Sequence, residues 1–397
     1  MKTTRSLDQA LDAPLESRPM VECFQKAKRI VIVVPDGTRN AHLADIVPQI
    51  LQRFRTGRIE SSKIEVLIAT GLHHVHTEGE LRFLLGRDIG RRVKVYQHAP
   101  GSGRTLRFGQ TPSGIPIFIA RRLAQADAIL SIGVIEPHLY AGYSGGAKTI
   151  AIGCAGEETI NRTHAPHFLD HPKVRLGVVD GNPFQRFLWD VLDRLPVRFM
   201  VNLLNDAQGN LAGIFGGSPR AVFRAGVALA DRLYRIKFPR PADAVICKVG
   251  RHKDVNFYQA SRAFNYVCGT QRPVVKRRGF VIVCAGLRDG MGRGIGEKRF
   301  GRELAHLGSP ERYIQKIKRQ GCRAGEHRAY LVAQAMVHAR LVVVGEAAPQ
   351  VLKGLPFLSF RSLEQAVAHV RGLRGAKATF RTLPSVLTTI ATVSNSS

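Results

Sequence analysis

Short runs rich in Val and Ile constrain the fold of this chain more than any other feature. They fall at Arg29–Val34, Ile64–Ala69, Val93–Tyr96, Ile115–Ile119, Ala128–Ile132, Ala244–Val249, Phe280–Cys284 and Leu341–Val344. A strand wetted on one face alternates apolar and polar residues. An unbroken run belongs to a strand covered on both faces, as in parallel α/β sheets. Between the first two runs, Leu43, Ile46, Val47, Ile50, Leu51 and Phe54 keep helical spacing. Asn40 is the expected N-cap and Pro48 an expected kink. The strand–helix–strand order predicts βαβ units and an α/β fold with mainly parallel sheets. A Pro-containing stretch, Lys237–Pro241, precedes a fresh strand. The expected domains are therefore 1–238 and 239–375, with a C-terminal tail, 376–397, able to return to the first.

Composition narrows the class. The 397 residues are 44% apolar and 22% charged, which suffices for a large buried core. No apolar run approaches the ~20 residues of a membrane span, and the polar N-terminus shows no secretory signal. Six scattered cysteines without a CxxC pair speak against a disulfide scaffold or zinc ribbon and point to the reducing cytoplasm. The net charge of +29 calls for acidic partners. Aromatics are only 7%, however, little material for stacking bases, and the basic residues are dispersed. A solvated basic surface is favoured over a nucleic-acid face, and no membrane partner is expected.

Chemistry-bearing residues collect after the strands, where ligands bind in open α/β sheets. Asp36-Gly37-Thr38-Arg39 follows the first, and an arginine there can grip a carboxylate or phosphate. Thr70-Gly71-Leu72-His73-His74-Val75-His76 follows the second. Three histidines in four positions suit acid–base chemistry or a metal, although HHVH lacks the spacing of a zinc-protease helix. After the strand at Ala128–Ile132 come Glu136, His138, Tyr140 and the turn Ser144-Gly145-Gly146-Ala147-Lys148, then His164. The turn is not a P-loop, but its amides could face a phosphate, and Lys148 could serve as cation or nucleophile.

In combination these loops resemble the nickel-pincer lactate racemase family, the 2-hydroxyacid racemases and epimerases. That family has an Asp-x-Thr-Arg loop, a Thr-Gly-x-His loop, a His-containing SGGxK loop and a later His. Here they occur in order, with 10 residues from His138 to Lys148 and 16 from Lys148 to His164. The resemblance continues through Asp180-Gly181-Asn182-Pro183 to Tyr258-Gln259-Ala260-Ser261-Arg262. It departs at Asn40, where the family has proline, at His74, where arginine is common, and at Arg262, where the family's substrate-contacting residue is lysine.

The resemblance implies two α/β domains, the N-terminal one binding cofactor and the C-terminal one closing on substrate over an active-site cleft. The implied cofactor is a nickel pyridinium-3,5-bisthiocarboxylic acid mononucleotide, covalently linked to Lys148, with His164 as the protein ligand to nickel. Asp36, Gly37, Thr38, Arg39, Ser144, Gly145 and Gly146 would line it. His73 and His138 would be the acid/base pair, and Arg39, Tyr258, Gln259 and Arg262 would bind a small anionic 2-hydroxy acid. The chemistry is reasonable, because the C2 proton of a hydroxy acid is weakly acidic. Hydride removal with a histidine taking the hydroxyl proton gives a 2-keto acid, and hydride return to either face gives racemisation. Two alternatives stand beside it, a zinc hydrolase built on His73, His74 and His76, and a basic nucleic-acid-binding protein.

Overall fold

The computed structural model describes residues 5–101, 103–250 and 253–394. The chain forms two compact units. The first comprises Met1–Glu136, Tyr143–Thr163 and Gly181–Leu233, and the second Pro137–Gly142, His164–Asp180 and Tyr234–Ser397. The chain thus leaves the first unit twice before residue 234, so His138 and His164 belong to the second unit, whereas the sequence reading placed them within 1–238.

The first unit is built on a six-stranded sheet in the order Leu211–Gly217, Val197–Asn205, Ala128–Val134, Ile30–Pro35, Ile64–Ala69, Lys94–Gln97. The pair Val197–Asn205 and Leu211–Gly217 is antiparallel, and all other neighbours are parallel. Every residue of Ile30–Pro35, Ile64–Ala69 and Ala128–Val134 is buried, which accounts for the unbroken apolar runs. The predicted strand at Ile115–Ile119 does form, as Pro116–Ala120, but it pairs with Thr105–Gln110 in a separate antiparallel ribbon.

The second unit holds a wholly parallel five-stranded sheet in the order Leu358–Phe360, Arg340–Val344, Val275–Cys284, Ala242–Lys248, Phe380–Leu383. Within the expected tail, Ile390–Val393 lies parallel to Arg235–Phe238, and residues 395–397 are outside the described residues. The expected fold class, α/β with mainly parallel sheets, is the one observed. No helix among the described residues is long and apolar enough to cross a membrane.

The helix Leu43–Thr56 buries the predicted face, including Ile46, Val47, Ile50 and Phe54, and runs through Pro48. Its start differs from expectation. His42, in the left-handed region at φ 46°, precedes Leu43. Asn40 is drawn elsewhere. Its Nδ2 donates to Gly209 O (2.7 Å), and its own carbonyl accepts from Asn205 Nδ2 (2.7 Å). His42 Nε2 in turn meets Asn205 Oδ1 at 2.8 Å, so this corner ties the first strand's exit loop to the Val197–Asn205 strand.

One close approach seats the Lys148 helix. Gly133, in the central strand, lies under the helix Gly146–Ala151, and a Cβ there would sit 2.1 Å from Gly146 N. A Cβ on Gly146 would sit 2.9 Å from Ser131 Oγ and 3.0 Å from Met200. Backbone therefore packs on backbone, which only glycine allows. Gly133→Ala is expected to lower stability by about 3 kcal/mol, an overpacking cost. A denaturation midpoint unchanged from the parent would show that the helix is not seated this way.

Candidate active site

In the first unit the buried Asp36 ends the first strand and organises two loops. Its Oδ1 accepts from Thr38 N (3.1 Å) and Thr38 Oγ1 (2.6 Å). Its Oδ2 lies 2.5 Å from Nδ1 of His73, in the loop after the neighbouring strand. Burial opposes ionisation of Asp36, but the His73 charge, the His73 and Thr38 hydrogen bonds and the more distant His76 outweigh it. The carboxyl is held far below the usual carboxylate range. With Nδ1–H on the carboxylate, Nε2 of His73 is the atom that carries acid–base chemistry. The His73 side chain is 31% exposed, so solvent or a ligand can reach it.

The rest of the loop is braced by the protein. Gly71, at φ 56°, donates its amide to Gly153 O (2.9 Å), and Thr70 Oγ1 donates to His98 O (2.6 Å). His76 is a clamp. Its Nε2 accepts from Gly37 N (3.2 Å), and its Nδ1 faces Gln97 Oε1 (3.2 Å). His74 turns to Glu80 Oε1 at 3.3 Å. The three histidines thus point at Asp36, Glu80 and Gln97, and no group of three or more metal-binding side chains forms among the described residues. That geometry removes the basis of the zinc-hydrolase alternative.

Arg39 forms an ion pair with the buried Glu136, which the sequence reading had given no role. Glu136 is itself fixed by the Ser144 hydroxyl, which accepts from Glu136 N (3.1 Å) and donates to Val134 O (2.8 Å). Ser144 N bonds Glu136 O, and Gly146 N bonds Asn202 Oδ1, both at 2.9 Å. These two amides of the glycine turn therefore serve the protein's own packing. Lys148, half-buried, projects from the short helix that follows.

In the second unit, histidines gather around one buried phenol. The Tyr140 ring meets His138 and His164 edge-on, each at 5.2 Å, and His327 at 5.9 Å. His164 and His327 lie 4.7 Å apart. His138 Nδ1 accepts from the amides of Tyr140 and Ala141, both at 3.2 Å, so its ring proton sits on Nε2. His327 Nδ1 accepts from Gly325 N (3.0 Å), and burial, with His164 and Arg328 adding to it, pushes its pKa well down. The His164 segment is pinned to the helix Glu326–His338 through Asp170, which accepts from Tyr330 Oη (2.7 Å) and Gln334 Nε2 (3.0 Å) and pairs with Lys318 (3.0 Å). Gln259 Oε1 accepts from Arg262 Nη1 at 3.2 Å, both residues being buried. His327 and Arg328 escaped the sequence reading. Their one signal was a basic pair opening an otherwise apolar helix, and it matches no motif.

Comparisons with known proteins point to one family of enzymes. Residues 1–177 match the lactate racemase N-terminal domain family. The chain is 27% identical over 387 residues to the lactate racemase of Lactiplantibacillus plantarum, covering 96% of this chain and 89% of that protein. It is 26% identical to the lactate racemase of Thermoanaerobacterium thermosaccharolyticum, covering 85% of this chain and 78% of that one. The chain is thus similar to lactate racemases over most of its length, with the family's N-terminal domain matched in residues 1–177. In structure it resembles the lactate racemase apoprotein of T. thermosaccharolyticum, with a TM-score of 0.86 at 24% identity over 97% of this chain and 91% of that one. It also resembles a protein of Thermotoga maritima, at 0.76 and 17%, over 98% of this chain and 97% of that one. Both structural likenesses bear on the fold.

The Asp36–His73 pair gives a pH signature. Because the folded state depresses the Asp36 pKa, its stabilisation is fully present above the unfolded value of about 3.9 and fades as pH falls through the folded value. Asp36→Asn is expected to cost about 3 kcal/mol at pH 7, the scale of a broken buried pair. The gap to the parent should narrow below about pH 4. Denaturation at pH 7 and pH 3 measures both, and a gap that does not change with pH would contradict the assigned pair.

Proposed function

We propose that the chain racemises a small 2-hydroxy acid through a 2-keto acid, and the buried Asp36 carboxylate bound to His73 carries this reading. A histidine oriented by a carboxylate is a competent general base, and the developing imidazolium is met by the fixed negative charge. His73 Nε2 takes the proton from the C2 hydroxyl. The Asp36 bond supports the imidazolium and then helps return the proton.

His138 is not its mirror image. With Nδ1 receiving two amide protons, the ring offers an N–H at Nε2, so it enters the reaction as a hydrogen-bond donor to substrate oxygen, as a neutral imidazole can. Within the acid/base pair expected from the sequence, this reading gives His138 the donor's part. Arg39, aimed by Glu136, and Arg262, aimed by Gln259, hold anionic groups of the ligands.

The family's nickel-pincer nucleotide fits the residues present. The Lys148 helix packs against the helix Pro183–Leu192, where buried Gln185 has both amide atoms without a hydrogen-bond partner, so a polar group from a ligand would be welcome there. The buried imidazole of His164, among aromatic and imidazole rings, is a suitable donor to Ni(II). Lys148 would hold the group covalently and His164 would bind its metal. When bound it supplies a hydride acceptor and donor.

The test uses the full chain co-produced with the enzymes that make the cofactor. L-Lactate should be converted toward the racemate, read by chiral chromatography, and intact mass should show an adduct that Lys148→Ala lacks. Replacing the base, His73→Gln, should reduce turnover about 1000-fold. His138→Gln retains an N–H in the place of Nε2 and should reduce it no more than about 10-fold. Equal losses in the two variants would restore the two-base scheme, and an adduct surviving in Lys148→Ala would overturn the attachment.

A further inference from the structure

Two arginines of the second unit bear on the surroundings of Tyr140. Arg262 is one, already assigned to the substrate carboxylate above. Arg328 is another. It is 4% exposed, in the first turn of the helix Glu326–His338, and its Nε and Nη1 have no hydrogen-bond partner. Among the described residues it forms no ion pair. Its guanidinium lies over two rings, 5.6 Å from the centre of Tyr258 and 6.0 Å from that of Tyr140. Burial pushes the Tyr140 pKa up, and Arg328 and Arg262 both act against that shift. Close by, Gln259, 1% exposed, keeps its Nε2 without a partner.

A guanidinium remains charged at any physiological pH. Buried, it needs an anion or a full set of acceptors, and two aromatic faces supply only part of that. The guanidinium is planar, and its N–H donors suit a carboxylate. We propose, resting on the racemase reading, that the preferred substrate is a 2-hydroxy dicarboxylate, with Arg328 receiving the second carboxylate while Arg262 and Gln259 take the first. Arg328 is then the residue that sets substrate class, a discrimination that hydrogen-bonding sites make strongly because the wrong substrate leaves their buried groups unpaired.

The experiment compares malate, 2-hydroxyglutarate and lactate as substrates of the cofactor-loaded full chain and of its Arg328→Gln and Arg328→Lys variants. Calorimetric binding of malate and lactate and nickel content are measured in parallel. The parent should prefer one of the two diacids over lactate in kcat/KM. Arg328→Gln should lose about 100-fold on the diacid and less than about 3-fold on lactate, with nickel content unchanged. Arg328→Lys, which keeps the charge and the volume, should retain part of the diacid preference, and it decides the matter if Arg328→Gln does not fold. Lactate preferred by the parent, or equal losses on lactate and diacid, would overturn the proposal and leave the racemase reading standing. Loss of nickel in the variants would also overturn it, by assigning Arg328 to the cofactor. If no hydroxy acid is racemised, Arg328-dependent binding of malate would support the dianion site while the racemase reading falls. Absence of both turnover and binding would overturn both.

Discussion

The buried carboxylate of Asp36 is the point from which the first unit's site is organised. It stands at the carboxyl end of a strand whose every residue is buried, so its position is set by the sheet. From there one oxygen closes its own loop through Thr38, and the other reaches across to His73 on the adjoining strand's loop. Two loops that are separate in sequence become one rigid object through a single side chain. Burying a charge is costly unless all its lone pairs are met. Here the Thr38 amide, the Thr38 hydroxyl and the imidazole give both oxygens partners, and the cost of burial is converted into orientation of His73.

Much of this was legible in the sequence because sheet burial and loop position leave regular traces. The apolar runs at Arg29–Val34, Ile64–Ala69 and Ala128–Ile132 read correctly as doubly covered strands, those at Val93–Tyr96 and Ile115–Ile119 did not, and the helix face from Leu43 to Phe54 followed from spacing. Asp36 and His73 stood out because both follow strands. What could not be read was direction. HHVH in sequence is three equivalent imidazoles, and only folding sends them to Asp36, Glu80 and Gln97. The same holds for Ser144-Gly145-Gly146. A glycine turn before a lysine suggests a phosphate cradle. In the fold, Gly146 is small because Ser131 and Met200 press on it, and its amide is taken by Asn202. The excursions 137–142 and 164–180 left no compositional signature.

The two histidines of the expected acid–base pair illustrate how backbone sets side-chain chemistry. A carboxylate and a pair of amides are opposite partners for Nδ1. The carboxylate requires a proton there, and the amides forbid one. The ring's other nitrogen then has a lone pair in His73 and a hydrogen in His138. A donor fixed without charge stabilises negative charge on oxygen without itself having to transfer a proton, and the burial of His138 strengthens that effect.

The Tyr140 cluster follows the same logic with several rings. Imidazoles and guanidiniums share a dry volume, and the guanidiniums do not give up their protons. One of the imidazoles yields. His327 does so through burial first and through the neighbouring charges of His164 and Arg328 second. Tyr140 stays protonated for the first of those reasons, its pKa pushed up to about 12 by burial. The arginines of the cluster keep their charge whatever the pH of the surroundings. That separation of roles suits a site that must receive both an anion and a metal. Guanidiniums attract carboxylates and do not bind cations, whereas an uncharged imidazole keeps the lone pair that a metal ligand needs. Had the cationic residues of this cluster been further histidines, anion binding and metal binding would have competed for the same nitrogens.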